Sequence, residues 1–119
     1  MKTIILDTNF LIYCAKYKID LFSEIDRLCH FPYKVVILDK TIEELNKVKP
    51  KELNLIKRYI EKIEVIKSKE SYVDEDLIGL SKEGCIVATQ DLQLKKKLKG
   101  PMIIIRQKKY LKMQNSAHK

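Results

Sequence analysis

Four acidic residues occupy places where this chain changes from one element to the next. Asp7 follows the apolar run Ile4-Ile5-Leu6 in "IILDTNF", and Asp91 follows Ile86-Val87-Ala88 in "CIVATQD". Glu44 lies in "DKTIEEL" and Asp74 in "SYVDEDL". Carboxylates gathered in one crevice repel each other, which raises some of their pKa values and costs stability. A hard divalent cation relieves that repulsion, and an all-oxygen donor set suits Mg²⁺ or Mn²⁺, which bind a few carboxylates and keep several waters. Other chemistries find no residues here. The histidines are His30, just before Pro32, and His118, near the end of the chain, so no histidine pair serves acid–base cleavage and no Ser-His or Cys-His couple can be placed. Gly79, Gly84 and Gly100 do not make a phosphate-cradling loop. Hydrolysis by a water activated on a metal is what remains.

The four acids act together only if the fold delivers them to one place. Short β-branched runs alternate with stretches of helical period along the chain. Strands are expected at Ile4 to Leu6, Val35 to Leu38, Ile63 to Ile66, Ile86 to Ala88 and Met102 to Ile105. Between them, Phe10 to Lys16, the 21/25/28 and 42/45/48 periods, Leu53 to Ile60, the stretch around Leu77-Ile78-Leu80, and Leu92 to Lys99 read as helices. Pro32 and Pro50 interrupt the pattern, Gly84 closes a helix and Gly100-Pro101 makes a turn. The alternation predicts an α/β/α sandwich around a mainly parallel sheet of about five strands, apolar on both faces. Residues 1–111 form a single domain in this reading, and residues 112–119 a frayed tail. Parallel strands share a direction, so all four acids fall at one sheet edge, where open α/β folds bind ligands.

Each acid also has a purely structural reading. Thr41-x-x-Glu44 matches a capping box, although Asp39 competes for that cap. Ser71 to Asp74 resembles a helix start, and Asp74, Glu75 and Asp76 suit a helix dipole. Asp7 and Asp91 each suit an N-cap. Singly, every one of them is ordinary. Four at four switch points on one edge are not.

Bulk properties set the partner class. The 119 residues are 45% hydrophobic and 34% charged, with 24 Lys and Arg against 16 Asp and Glu, a net charge of +8. Without the four acids the remaining 12 acids face 24 bases, an excess of +12 suited to a phosphate backbone. No apolar run reaches the roughly 20 residues of a membrane span. The chain enters its first strand without a signal peptide, and Cys14, Cys29 and Cys85 are odd in number and widely spaced. Reduced, packed thiols in a cytoplasmic protein are expected.

These segments resemble those of PIN-domain nucleases from Lys2 to about Leu111. "LDTNFLI" is similar to the family's first motif, with Asp7 as its acid and Thr8 and Asn9 in support. Glu44 in "EEL", Asp74 in "YVDEDLI", with Asp76 as a second possibility, and Asp91 with Thr89 in "IVATQD" match the others. Gln93 departs from the pattern where another acid often follows. The resemblance implies a metal-dependent endoribonuclease in which Asp7, Glu44, Asp74 and Asp91 hold Mg²⁺ or Mn²⁺ near the scissile phosphate. "DTNFLIYCAKYKIDL" and "CIVATQDLQLKKKLKG" are most similar to the archaeal and eukaryotic branch that processes small-subunit ribosomal RNA. That branch implies RNA and assembly-factor partners for a monomer or homodimer. A VapC-like toxin held by an antitoxin, and a non-catalytic RNA-binding assembly protein, are the alternatives. Lys95, Lys96, Lys97, Lys99 and Arg106, with Lys108 and Lys109 further on, are candidate backbone contacts, and Tyr13, Tyr17 and Tyr72 are candidate stacking residues.

Overall fold

The structure, a computed structural model, describes residues 1–115. Strand β1 (Lys2–Leu6) leads through helices α1 (Thr8–Lys16) and α2 (Leu21–Leu28) to β2 (Tyr33–Leu38). Helices α3 (Asp39–Val48) and α4 (Leu53–Ile60) precede β3 (Glu64–Ile66), and α5 (Val73–Lys82) precedes β4 (Ile86–Ala88). The short α6 (Leu92–Lys97) then leads to β5 (Met102–Arg106) and β6 (Tyr110–Gln114). The sheet runs β3-β2-β1-β4-β5-β6, parallel throughout except for the β5–β6 pair.

Two cores cover the two faces, and the strand period of two divides the apolar residues between them. Ile4, Leu6, Ile37, Ile86 and Ile103 pack with Phe10, Leu21, Ile25, Leu45 and Ile56 of α1 to α4. Ile5, Val36, Val87, Met102 and Ile104 face the other way, onto Leu77 of α5 and Leu94 of α6. The expected three-layer sandwich is what forms.

The sheet has six strands rather than five, because residues expected to fray pair with β5. Leu111 is fully buried, its N–H donates to Glu24 Oε1 (2.9 Å), and its carbonyl accepts from Arg27 Nη2 (2.7 Å). The hairpin turn places Gln107 (φ 52°) and Lys108 (φ 55°) in the left-handed region. Non-glycine residues rarely adopt it, so the turn carried no glycine or asparagine to announce it. Of the expected tail, residues 116–119, with His118, lie outside the described residues.

Candidate active site

Chain direction in the sheet reverses beside β1. From β1 the chain moves outward to β2 and β3, then returns to place β4 on the other side of β1. The crevice above the carboxyl ends of β1 and β4 is therefore the topological switch point. Asp7 is the first residue past β1, and Thr89 to Asp91 follow β4.

The backbone joins the two strands there, with Asp7 N donating to Ala88 O at 2.9 Å. Asp7 is 6% exposed and Thr89 fully buried. Asp7 Oδ1 accepts from Thr8 N (2.8 Å), and its Oδ2 accepts from Thr89 Oγ1, also at 2.8 Å. Having given its proton to Asp7, the Thr89 hydroxyl accepts from Asp91 N at 3.1 Å. Thr8 Oγ1 donates in turn to Glu44 Oε1 at 3.3 Å. One threonine thus links Asp7 to the loop of Asp91, and the other links it to Glu44.

Electrostatics reflects this crowding. Burial pushes the Asp7 carboxyl up to about 6, the hydrogen bonds from Thr89 and Thr8 offset part of that rise, and the charges of Asp74 and Glu44 add to it. Asp74 is raised by burial and by Asp91, and Lys97 pulls it back. Glu44 and Asp74 line an open crevice of about 720 Å³ with Lys40, Lys47, Tyr72 and Lys97. Asp7 and Asp91 do not form its walls; Thr8 couples Asp7 to it, and the field of Asp91 reaches Asp74. Among the described residues no three carboxylates close into a metal cage. A Mg²⁺ site needs no such cage, because the ion takes one or two carboxylates and fills the rest of its shell with water and phosphate oxygens. The hard-oxygen donors present fit that requirement.

The structural readings of the acids resolve individually. Asp7 is the N-cap of α1, its Oδ1 serving that cap while Oδ2 meets Thr89. Asp91 does cap α6, accepting from Gln93 N (2.9 Å) and Leu94 N (3.1 Å) through Oδ1 alone. Glu44 makes no capping box: Thr41 is buried inside α3 without a hydroxyl partner, and Asp39 binds Lys40 N and the Ser68 N–H and hydroxyl instead. Helix α5 starts from Tyr72 without a side-chain cap, so Asp74 is free of that role. Asp76 turns away from the crevice. It is 5% exposed and its Oδ1 accepts from Lys69 N (3.0 Å) and Glu70 N (3.1 Å) of the preceding loop. Asn9 is exposed on the first turn of α1 and its side chain joins no hydrogen bond among the described residues, in contrast to those of Thr8 and Thr89.

The basic candidates also separate. Lys97 lines the crevice, and Lys95 lies near Asp91 and Arg106, its pKa lowered by burial and then by Arg106. Lys96 is exposed on α6. Lys99 belongs elsewhere: its backbone exchanges hydrogen bonds with the Ser81 hydroxyl at the end of α5, at the edge where β5 begins. Lys40 and Lys47 were missed as crevice residues. Lys47 stands three residues beyond Glu44, a spacing that puts both on one face of α3.

Comparison with known proteins follows the same lines. The family described as "PIN like domain" matches residues 4–108. Ribonuclease VapC4 of Methanocaldococcus jannaschii is 37% identical over 127 residues, covering 95% of this chain and 97% of that protein. Among solved structures, the PIN domain endonuclease Utp24 is similar with a TM-score of 0.80, over 94% of this chain and 90% of that one, at 23% identity.

Proposed function

This chain belongs to the PIN-like domain family, and from that premise we propose that it is an endoribonuclease hydrolysing RNA with Mg²⁺ or Mn²⁺ at the β1–β4 switch point. The observation that carries the reading is the Asp7–Thr89–Asp91 chain of hydrogen bonds. It keeps a buried carboxylate where only a cation or a proton would neutralise it. The name of the 37% identical relative supports the ribonuclease class.

Asp7, Glu44, Asp74 and Asp91 are the residues that would hold the ion. Such an ion, when bound, acts as a Lewis acid and lowers the pKa of water. Thr89 and Thr8 fix the Asp7 carboxylate by donating to it from both sides, a partner arrangement that orients ligands at metal sites. Lys40, Lys47 and Lys97 line the entrance with positive charge, which suits the RNA backbone running across it. Tyr72, 70% exposed at the same entrance, offers a base a flat apolar surface.

Two cellular settings follow from different observations. The motif resemblance favours maturation of ribosomal RNA by a cytoplasmic protein. The relative named VapC4 favours a toxin-type ribonuclease held by an antitoxin. Co-purification with a small protein that inhibits cleavage supports the second, and crosslinking to pre-ribosomal RNA the first.

The activity itself is tested with purified protein and a labelled single-stranded RNA. Cleavage in Mn²⁺ that stops with EDTA is the expected result. The ion should also raise the melting temperature, corresponding to about 2.7 kcal/mol at one hundred times its Kd. No cleavage and no thermal shift in millimolar Mn²⁺ would leave a non-catalytic RNA-binding domain.

A further inference from the structure

A second recess has the opposite character. It has a volume of about 430 Å³ and is lined by Tyr13, Tyr17, Gln90, Ile105, Gln107 and Lys108, with no carboxylate among them. Tyr13 and Tyr17 stack with ring centroids 5.8 Å apart and planes within 9°. Lys108 Nζ lies 5.7 Å from the Tyr17 ring centroid, and Lys16 Nζ 5.9 Å. Neither tyrosine hydroxyl has a hydrogen-bond partner among the described residues, and Tyr13 is 37% exposed.

Gln90 ties the recess to the site. It stands between Thr89 and Asp91, and its Oε1 accepts from Ile105 N at 2.6 Å. A backbone N–H can only donate, so the oxygen of this amide is committed and its –NH₂ remains a donor. Tyr13 lies six residues along α1 from Asp7, about 9 Å at a helical rise of 1.5 Å per residue. The turn that carries Lys108 follows β5, so it stands at the same sheet edge as the acids.

We propose that this recess is a nucleobase subsite, in which an unpaired base of the RNA next to the scissile phosphate stacks on the Tyr13–Tyr17 pair. Lys108 sits at the neighbouring phosphate, and the Gln90 amide donates to an acceptor on the base edge. Stacking on a tyrosine pair accepts any base, because every base has a π-face. The subsite therefore selects for single-stranded RNA and sets its register against the acids. This assignment rests on the ribonuclease reading above.

The test uses full-length protein and a single-stranded RNA with 2-aminopurine walked along its sequence, in EDTA so that nothing is cut. At one position, binding should quench the 2-aminopurine. Tyr13→Ala should weaken binding on the order of tenfold and remove the quench, while Tyr13→Phe retains both. The salt dependence of binding should not change in Tyr13→Ala, since no phosphate contact is lost. Tyr13 is exposed enough for its removal to leave the core intact, and the quench in the unmodified protein needs no variant at all. Cleavage of RNA in Mn²⁺ with no quenched position, or with Tyr13→Ala binding as tightly as the unmodified protein, would overturn the subsite and leave the nuclease standing. Failure of the unmodified protein both to bind and to cut RNA would overturn both.

Discussion

Asp7 at the end of β1 and the pair Asp39 and Asp76 around the β3–α5 loop are acids in opposite circumstances. Asp39 accepts from Ser68 N, the Ser68 hydroxyl and Lys40 N, and Asp76 takes the N–H groups of Lys69 and Glu70. Both hold a loop in place by giving backbone donors an acceptor. Asp7 also accepts two hydrogen bonds, yet burial outweighs them and its carboxyl rises to about 6. The hydrogen bonds of Ser68, by contrast, hold Asp39 below its usual range. Asp39 stabilises the fold, Asp76 does so through one oxygen while its Oδ2 is buried without a partner among the described residues, and the carboxylate at the switch point weighs against the fold. That difference is what separates a structural acid from one kept for chemistry.

The largest consequence concerns catalysis. Thr89→Val removes the hydroxyl that orients Asp7 and meets Asp91 N, and should lower RNA cleavage by about 10- to 100-fold. Asp76→Ala, measured per folded molecule, should change cleavage by less than tenfold. Equal losses in the two variants would erase the distinction between the regions.

Stability should move the other way. Asp76→Ala takes the acceptor away from two backbone N–H groups of an exposed loop segment, a loss of about 1 kcal/mol. Asp7→Asn, in metal-free protein at pH 7, should gain roughly 1–2 kcal/mol, because the penalty of a buried charge disappears and part of the hydrogen bonding survives. Chemical denaturation of both variants measures the two signs directly.

Titration sharpens the contrast further. The Asp7 pKa is raised on folding, so the folded chain binds the extra proton. Its destabilising contribution is full above about pH 6 and vanishes by about pH 4, a span of roughly 3 kcal/mol. Asp39 has the opposite slope: its stabilisation is present above the ordinary carboxylate value and fades as pH falls through its lowered folded value. In metal-free protein, Asp7→Asn should therefore flatten the pH dependence of stability between pH 6 and pH 4, and Asp39→Asn should leave that window in place.

The smallest effect tests where RNA runs. Lys97 lies in the crevice and Lys99 at the far edge, so Lys97→Ala should reduce the log–log salt slope of binding to single-stranded RNA by about 0.7, and Lys99→Ala should not. A reversed pattern moves the backbone to the other side of the sheet.

Much of this was legible in the residues alone. Unbroken apolar runs such as Ile4-Ile5-Leu6 announced a sheet covered on both faces, and the parallel order put Asp7 and Asp91 at one edge. The sixth strand was hidden because its turn uses Gln107 and Lys108 in a backbone region that favours glycine, and because Glu24 and Arg27, far away in the chain, anchor it. Asp76 sits two residues from Asp74 in the same acidic run. Only the path of the 67–71 loop decides that it faces inward to Lys69 and Glu70. Lys99 shares its run with Lys97, but the end of α6 carries it to the other edge. Local spacing reveals which residues follow a strand; which way a loop folds back depends on contacts that spacing does not encode.

The central claim is that Asp7 is kept at the switch point for a cation and not for the fold. Its most direct test is RNA cleavage in Mn²⁺ by Asp7→Asn, with the melting temperature of the same metal-free preparation recorded alongside. The account predicts a protein at least as stable as the parent whose cleavage has fallen by more than ~100-fold, beyond what loss of a supporting hydrogen bond produces. Cleavage at the parental rate by that variant would contradict it.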